Sequence, residues 1–252
     1  QPAFARLLAR WLPDPPQPLH LMREAALINR ARQSPYLTDA ALQTADSATQ
    51  AFGQELRHLG RMSLEVIGQA LYCPPEELAA PVTDPAVLRQ RLQHEDIDSD
   101  ALYRHYIKPV YGELLRFIGR FEQPLSEEQQ QRWRSGQVAA SQLAKAVKDA
   151  YQLHANLRRQ LTDESNTESE ASSAYLELRS KLLAALAQLR HISRTCDDPD
   201  SWRQQLAQLE QQVAAFDNAF TARLFRAVRD GRIDGYQLGS LINDLGYAKR
   251  IV

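Results

Sequence analysis

The segment HEDIDSDALYRHY, beginning at His94, gathers the groups most able to do chemistry in this chain. Asp96, Asp98 and Asp100 are spaced D-x-D-x-D, the opening of a calcium-binding EF-hand loop. The rest of that motif fails. Its sixth position needs a glycine for a sharp turn and holds Ala101, and its twelfth needs a bidentate glutamate and holds Ile107. On a helix, Asp96 and Asp100 stand four residues apart on one face, where two carboxylates can share a hard cation. The same acids at a helix start are also stabilised by the macrodipole without any ligand, by about 0.3–1 kcal/mol each.

The other reactive residue types form no recognisable constellation. The six histidines include no i, i+4 metal pair and no HExxH. His154 lies on an apolar helical face, the setting of a core or interface histidine. Cys73 and Cys196 make neither a CxxC nor a disulfide framework, and a reducing compartment is expected. GxSxG, P-loop and GxGxxG patterns are absent, so no enzyme activity and no cofactor are expected. Short basic patches at Arg57 and Arg61, and at Lys249 and Arg250, are candidate partner contacts.

Composition sets the frame that must position these groups. Of 252 residues, 44% are hydrophobic, enough for a substantial core. Thirty basic residues balance 31 acidic ones, giving a formal net charge of −1, so there is no overall field favouring nucleic acid. Helix formers dominate and glycine occurs only 10 times, so a nearly all-α protein is expected. No apolar run approaches the ~20 residues of a membrane span. Four prolines between Pro13 and Pro18 follow the apolar-basic stretch Phe4 to Trp11. Residues 1–40 are therefore expected to form a proline-rich arm or linker.

Periodicity then predicts two sets of three amphipathic helices. The first helix, about Asp46 to Tyr72, carries Phe52, Leu56, Leu59, Val66 and Ala70 three or four apart. Pro74 and Pro75 stop it. The second, about Asp98 to Glu122, carries Ile107, Val110, Leu114, Phe117 and Phe121, with a kink expected at Pro109. The third, about Glu127 to Leu161, carries Leu143, Val147, Ala150, His154 and Leu157, with Gly136 a possible early break. The acidic stretch TDESNTESEASS suggests a solvated linker over 163–173. The pattern then restarts with Tyr175 to Ile192, Trp202 to about Arg229, and Leu238 to Val252. Three apolar stripes converging on one axis make an antiparallel three-helix bundle. The expected architecture is two such bundles in tandem, over 41–162 and 174–252. A single elongated spectrin-like array is the alternative.

Several segments together resemble the cytosolic PhoU-like domain that follows the membrane part of bacterial Na/Pi-cotransporter family proteins. Around Tyr36, Leu37, Ala41, Leu42 and Thr44, leading to Glu55, Leu56, Arg61 and Met62, the chain is similar to that family's "YLD…AL.TP" and "R.E..RM" patterns. EDIDSDALYRHYIKPVYGELLRFI resembles its second helix, LSEEQQQRWRSGQVAASQLAKAVKDAYQLHANL its third, and LFRAVRDGRIDGYQLGSLINDLGYAKRIV its closing pair. The resemblance spans about Ser34 to Val252.

The resemblance implies two related three-helix bundles, and a chain cut from a longer membrane protein at the cytoplasmic face of the bacterial inner membrane. Its partner would be the membrane part of its own transporter, with another protein or a second copy also possible, and its role the regulation of phosphate uptake. PhoU proteins also hold multinuclear metal clusters on E/DxxxD pairs. Asp96 and Asp100 fall on one such pair. On the next helix Ala144 and Lys148 stand where both acids belong, and Asp149 is one residue off, about 100° around the helix. In the second half Glu210 and Asp217 are seven apart with Val213 between them, and Asp244 has no paired acid. No stable multinuclear site is therefore expected. A metal-binding regulator using Asp96 and Asp100, and a helical scaffold unrelated to phosphate, are the rival readings.

Overall fold

A computed structural model describes residues 34–94, 97–162, 169–195 and 198–252. Its described residues are mostly helical, with no strand among them. After a 3₁₀ turn at Ala40–Gln43, helix α1 runs Ala45–Ala70 and α2 Pro85–His94. Helix α3, Ser99–Leu102, leads through a π turn, Tyr103–Ile107, into α4, Lys108–Arg120. Then come α5, Glu127–Thr162, α6, Glu170–Thr195, α7, Pro199–Arg229, and α8, Gly235–Ile251.

The ends of these helices follow local chemistry. Thr44 caps α1 by accepting from the Ser47 amide, and Asp198 caps α7 by accepting from the Ser201 amide. Asp234 and Gln237 form a full capping box at the start of α8, just after Gly231 turns the chain at φ 68°. At the end of α1, Cys73 N–H donates to Gly68 O and Tyr72 N–H to Gln69 O, the double bond pattern of a Schellman motif. The residue in the left-handed position is Tyr72 (φ 54°), where glycine is usual.

Specific contacts fix the directions of the helices. Trp133 Nε1 donates to Thr49 Oγ1 (2.9 Å) near the start of α1, and His154 Nδ1 lies 3.0 Å from Ala70 O at its end. Helices α1 and α5 therefore run parallel. Asn156 meets Asp244 while Asp149 meets Arg250, so α5 and α8 run antiparallel. Arg223 of α7 pairs with Glu170 and Glu177 at the start of α6, an antiparallel pair. One hydrophobic core runs from Ala48 and Phe52 through Leu143, Val147 and Leu153 to Leu241 and Leu245, with α5 contributing to it along most of its length. A small satellite cluster of Ile192, Trp202 and Leu206 closes the far end of α6 and α7.

The structure corrects several expectations. Gly136 does not break α5. It lets α1 approach, because a Cβ there would lie 2.3 Å from the Phe52 ring, and Phe52 stacks on Trp133 at 5.1 Å. The irregularity expected near Pro109 is present as the π turn just before it. Pro109 itself sits at the start of α4, where its missing N–H leaves no helical bond unmade. Helix α2 is an element that the periodicity did not predict between the first and second helices: Asp84 and Pro85 start it, and Leu88 and Leu92 bury one face. Helix α6 begins at Glu170, inside the expected 163–173 linker. Residues 163–168 lie outside the described residues, as do 1–33. Within the expected arm, Ser34 bonds to Glu55, and Leu37 packs against the core.

Candidate functional site

Of the acids that opened the sequence reading, Asp96 lies outside the described residues. Asp100 falls in the first turn of α3, and its side chain also lies outside them. Asp98 Oδ1 accepts the Ala101 amide at 2.8 Å, capping α3 as acids at a helix start do. The α5 positions that the resemblance pairs with these acids are engaged in packing. Ala144 is buried, and the Lys148 ammonium lies 5.0 Å over the Tyr103 ring of the π turn. Asp149 accepts from Arg250 Nε (2.7 Å) and Nη2 (3.0 Å), a bidentate pair. No group of three or more His, Cys, Asp or Glu that could hold a metal ion occurs among the described residues. At these α5 positions Ala144 offers no donor, Lys148 carries positive charge, and both Asp149 oxygens are bonded to Arg250.

The candidate basic contacts divide. Arg57 is exposed on α1, and Arg61 Nη2 lies 3.3 Å from His58 Nδ1. Lys249 is bonded to Asp217 (2.5 Å), and Arg250 also lies 5.0 Å from the Tyr247 ring. The charges at the end of α8 thus help hold α5, α7 and α8 together. Glu210 is exposed on α7. Cys73 is buried, and burial pushes its thiol up to about 11, away from thiolate chemistry.

Three polar clusters escaped the sequence reading. On α1, Glu55 is fully buried. Burial pushes its carboxyl up to about 7, aided by the nearby Glu113 charge and opposed by the bond from Ser34. Its Oε1 has no hydrogen-bond partner. Three turns on, burial also raises Glu65 to about 7, despite Arg61, and raises Tyr106 of the π turn to about 12. Burial lowers His58 between them to about 4, with the Arg61 charge acting in the same sense. The signal was a glutamate beside Leu56 on a stripe otherwise apolar.

The second cluster joins α5, α6 and α8. Tyr175 Oη donates to Asp244 Oδ2 (2.6 Å) and Asn156 Nδ2 to Oδ1 (2.8 Å), so both oxygens of the buried Asp244 are satisfied. Burial still raises the Asp244 carboxyl above its ordinary range, and burial with the Asp244 charge raises the Tyr175 hydroxyl. The third cluster clasps the end of α1. Arg179 of α6, 2% exposed, donates from Nε to Leu71 O (2.7 Å) and from Nη2 to Tyr72 O (3.1 Å). Arg91 of α2 adds a bond to Tyr72 O (2.9 Å) and a salt bridge to Glu77 (2.7 Å). Arg190 donates to Pro75 O (2.6 Å). Cations gathered at a helix C-terminus satisfy its orphan carbonyls and its dipole together.

No family model, curated protein or solved structure matches this chain. No helix among the described residues is long and apolar enough to cross a membrane.

Proposed function

We propose that this chain is a non-enzymatic regulatory module, the cytosolic PhoU-like domain of a sodium-dependent phosphate transporter. The resemblance of its helices and anchors between Ser34 and Val252 motivates the family. The helix directions agree with two related three-helix units: α1 and α5 parallel with α4 between them in sequence, then α6 and α7 antiparallel with α8 following. Helix α5 belongs to the first unit and also packs along α8, so on this reading the two units share one core.

The observation that carries the non-metal form of the proposal is the use of Lys148 and Asp149. At the contact where PhoU relatives gather acids, one side chain covers Tyr103 and the other binds Arg250. Both serve packing between helices, so regulation would act through helical faces meeting the membrane part of the transporter.

The gene provides the test. Its reading frame is expected to encode hydrophobic spans ahead of this chain. Deleting residues 34–252 from that protein is expected to change sodium-dependent uptake of radiolabelled phosphate by intact cells. A frame without spans, or uptake indifferent to the deletion, would overturn the proposal.

A further inference from the structure

In the second half, the apolar stripes of α6 and α7 do not close. Leu178, Leu182 and Leu209 are buried, yet Val213 and Phe216, further along the same heptad stripe, remain half-buried. Between them and the last turn of α8 lies an open hollow of about 500 Å³, walled mostly by apolar side chains, with Gln188 and Gln212 also on its lining. That volume falls within the range of small-molecule pockets, about 300–1,000 Å³.

The mouth carries one unpaired positive charge. Lys181 of α6 is exposed and makes no ion pair among the described residues, and Lys249 of α8 shares its ammonium with Asp217. An apolar slot with one unpaired lysine at the rim matches an amphiphile with one apolar tail and one acidic head. The tail would take water-exposed surface off Val213 and Phe216, and the head would meet Lys181. We infer that the α6–α7–α8 hollow binds a single-chain carboxylic acid amphiphile of fatty-acid type. This site is independent of the phosphate-transport reading and stands or falls separately from it.

The test is calorimetric titration of the full chain with dodecanoate, below its micelle concentration, with dodecan-1-ol and dodecyltrimethylammonium as neutral and cationic comparisons. One saturable site that prefers dodecanoate is expected. Lys181→Glu should weaken dodecanoate by about fivefold, the size of one exposed charge contact, and leave the alcohol unchanged. Ala185→Phe fills the buried wall and should abolish binding. Ala215→Phe, at the exposed mouth, should weaken binding without disturbing the core, which keeps the test sound if the first variant does not fold. No saturable binding, equal affinity for all three probes, binding indifferent to Ala215→Phe, or response only to anionic phosphatidylglycerol vesicles would overturn the inference. So would a dimer whose interface covers the hollow and is unaffected by dodecanoate.

Discussion

The two halves of the molecule handle the same problem differently. At the start of α1 the apolar stripe meets its partner completely: Phe52 lies over Gly136, stacks on Trp133, and Phe117 and Phe121 close the other sides of the indole. Along α6 and α7 an equally regular stripe stands open at Val213 and Phe216. Heptad spacing alone does not ensure burial. What differs is the residue opposite: a glycine lets two backbones approach until a ring fills the gap, whereas the small Ala184, Ala185, Ala215 and Ala219 around the second seam leave a hollow.

Two buried carboxyls also differ between the halves. The tight half buries Glu55 with one oxygen unpartnered, while the open half satisfies both oxygens of Asp244.

The sharpest way to test this contrast is Phe52→Ala. It removes a ring from a filled site and is expected to cost about 3–5 kcal/mol in urea unfolding. A loss below 1 kcal/mol would mean that the first half is no better packed than the second.

The Glu55 carboxyl comes next. Its ordinary value is 4.5 and its folded value about 7, so the folded state holds the proton more tightly than the unfolded chain. Its stabilising contribution is complete below pH 4.5 and is lost as pH rises through 7. Glu65 acts in the same sense. His58, lowered from 6.5 to about 4, acts oppositely, adding stability as pH rises from 4 to 6.5. Glu55→Gln is therefore expected to raise stability at pH 8 by about 2 kcal/mol, with the gain fading below pH 5. Asp244→Asn, which turns an amide toward a donor, should lower stability at pH 8. Equal signs for the two variants, read from thermal melts across pH, would erase the distinction between the clusters.

The smallest effect is expected at Phe216→Ala. A half-buried ring facing an open hollow should cost about 1 kcal/mol. A cost matching that of Phe52 would show the seam closed in solution.

Much of the helical order was legible because apolar residues recur every three or four positions over long stretches. The helix around Phe52 and Val66, and those around Val147 and Leu245, fall near their expected bounds for that reason. The π turn was not legible, since Pro109 announces an irregularity without saying on which side it will fall. Helix α2 was missed because Leu88 and Leu92 give only one repeat. The clasp of Arg179 on Leu71 and Tyr72 joins residues 108 and 107 apart, and an arginine inside a heptad gives no hint of the carbonyls it will find. Glu55 was hidden likewise: a glutamate on an apolar stripe looks like a rim residue until its neighbours are known. Lys148 and Asp149 serve packing against Tyr103 and Arg250, partners far away in the sequence.

That clasp has a consequence for the newborn chain. The end of α1 leaves the ribosome with the Leu71 and Tyr72 carbonyls still open, and their donor on α6 follows more than 100 residues later. At about 5–20 residues per second, α1 waits roughly 5–20 s for Arg179. Arg91 arrives earlier and can hold Tyr72 alone. The end of the first helix is therefore completed in two stages during synthesis, while its apolar stripe waits only for α5.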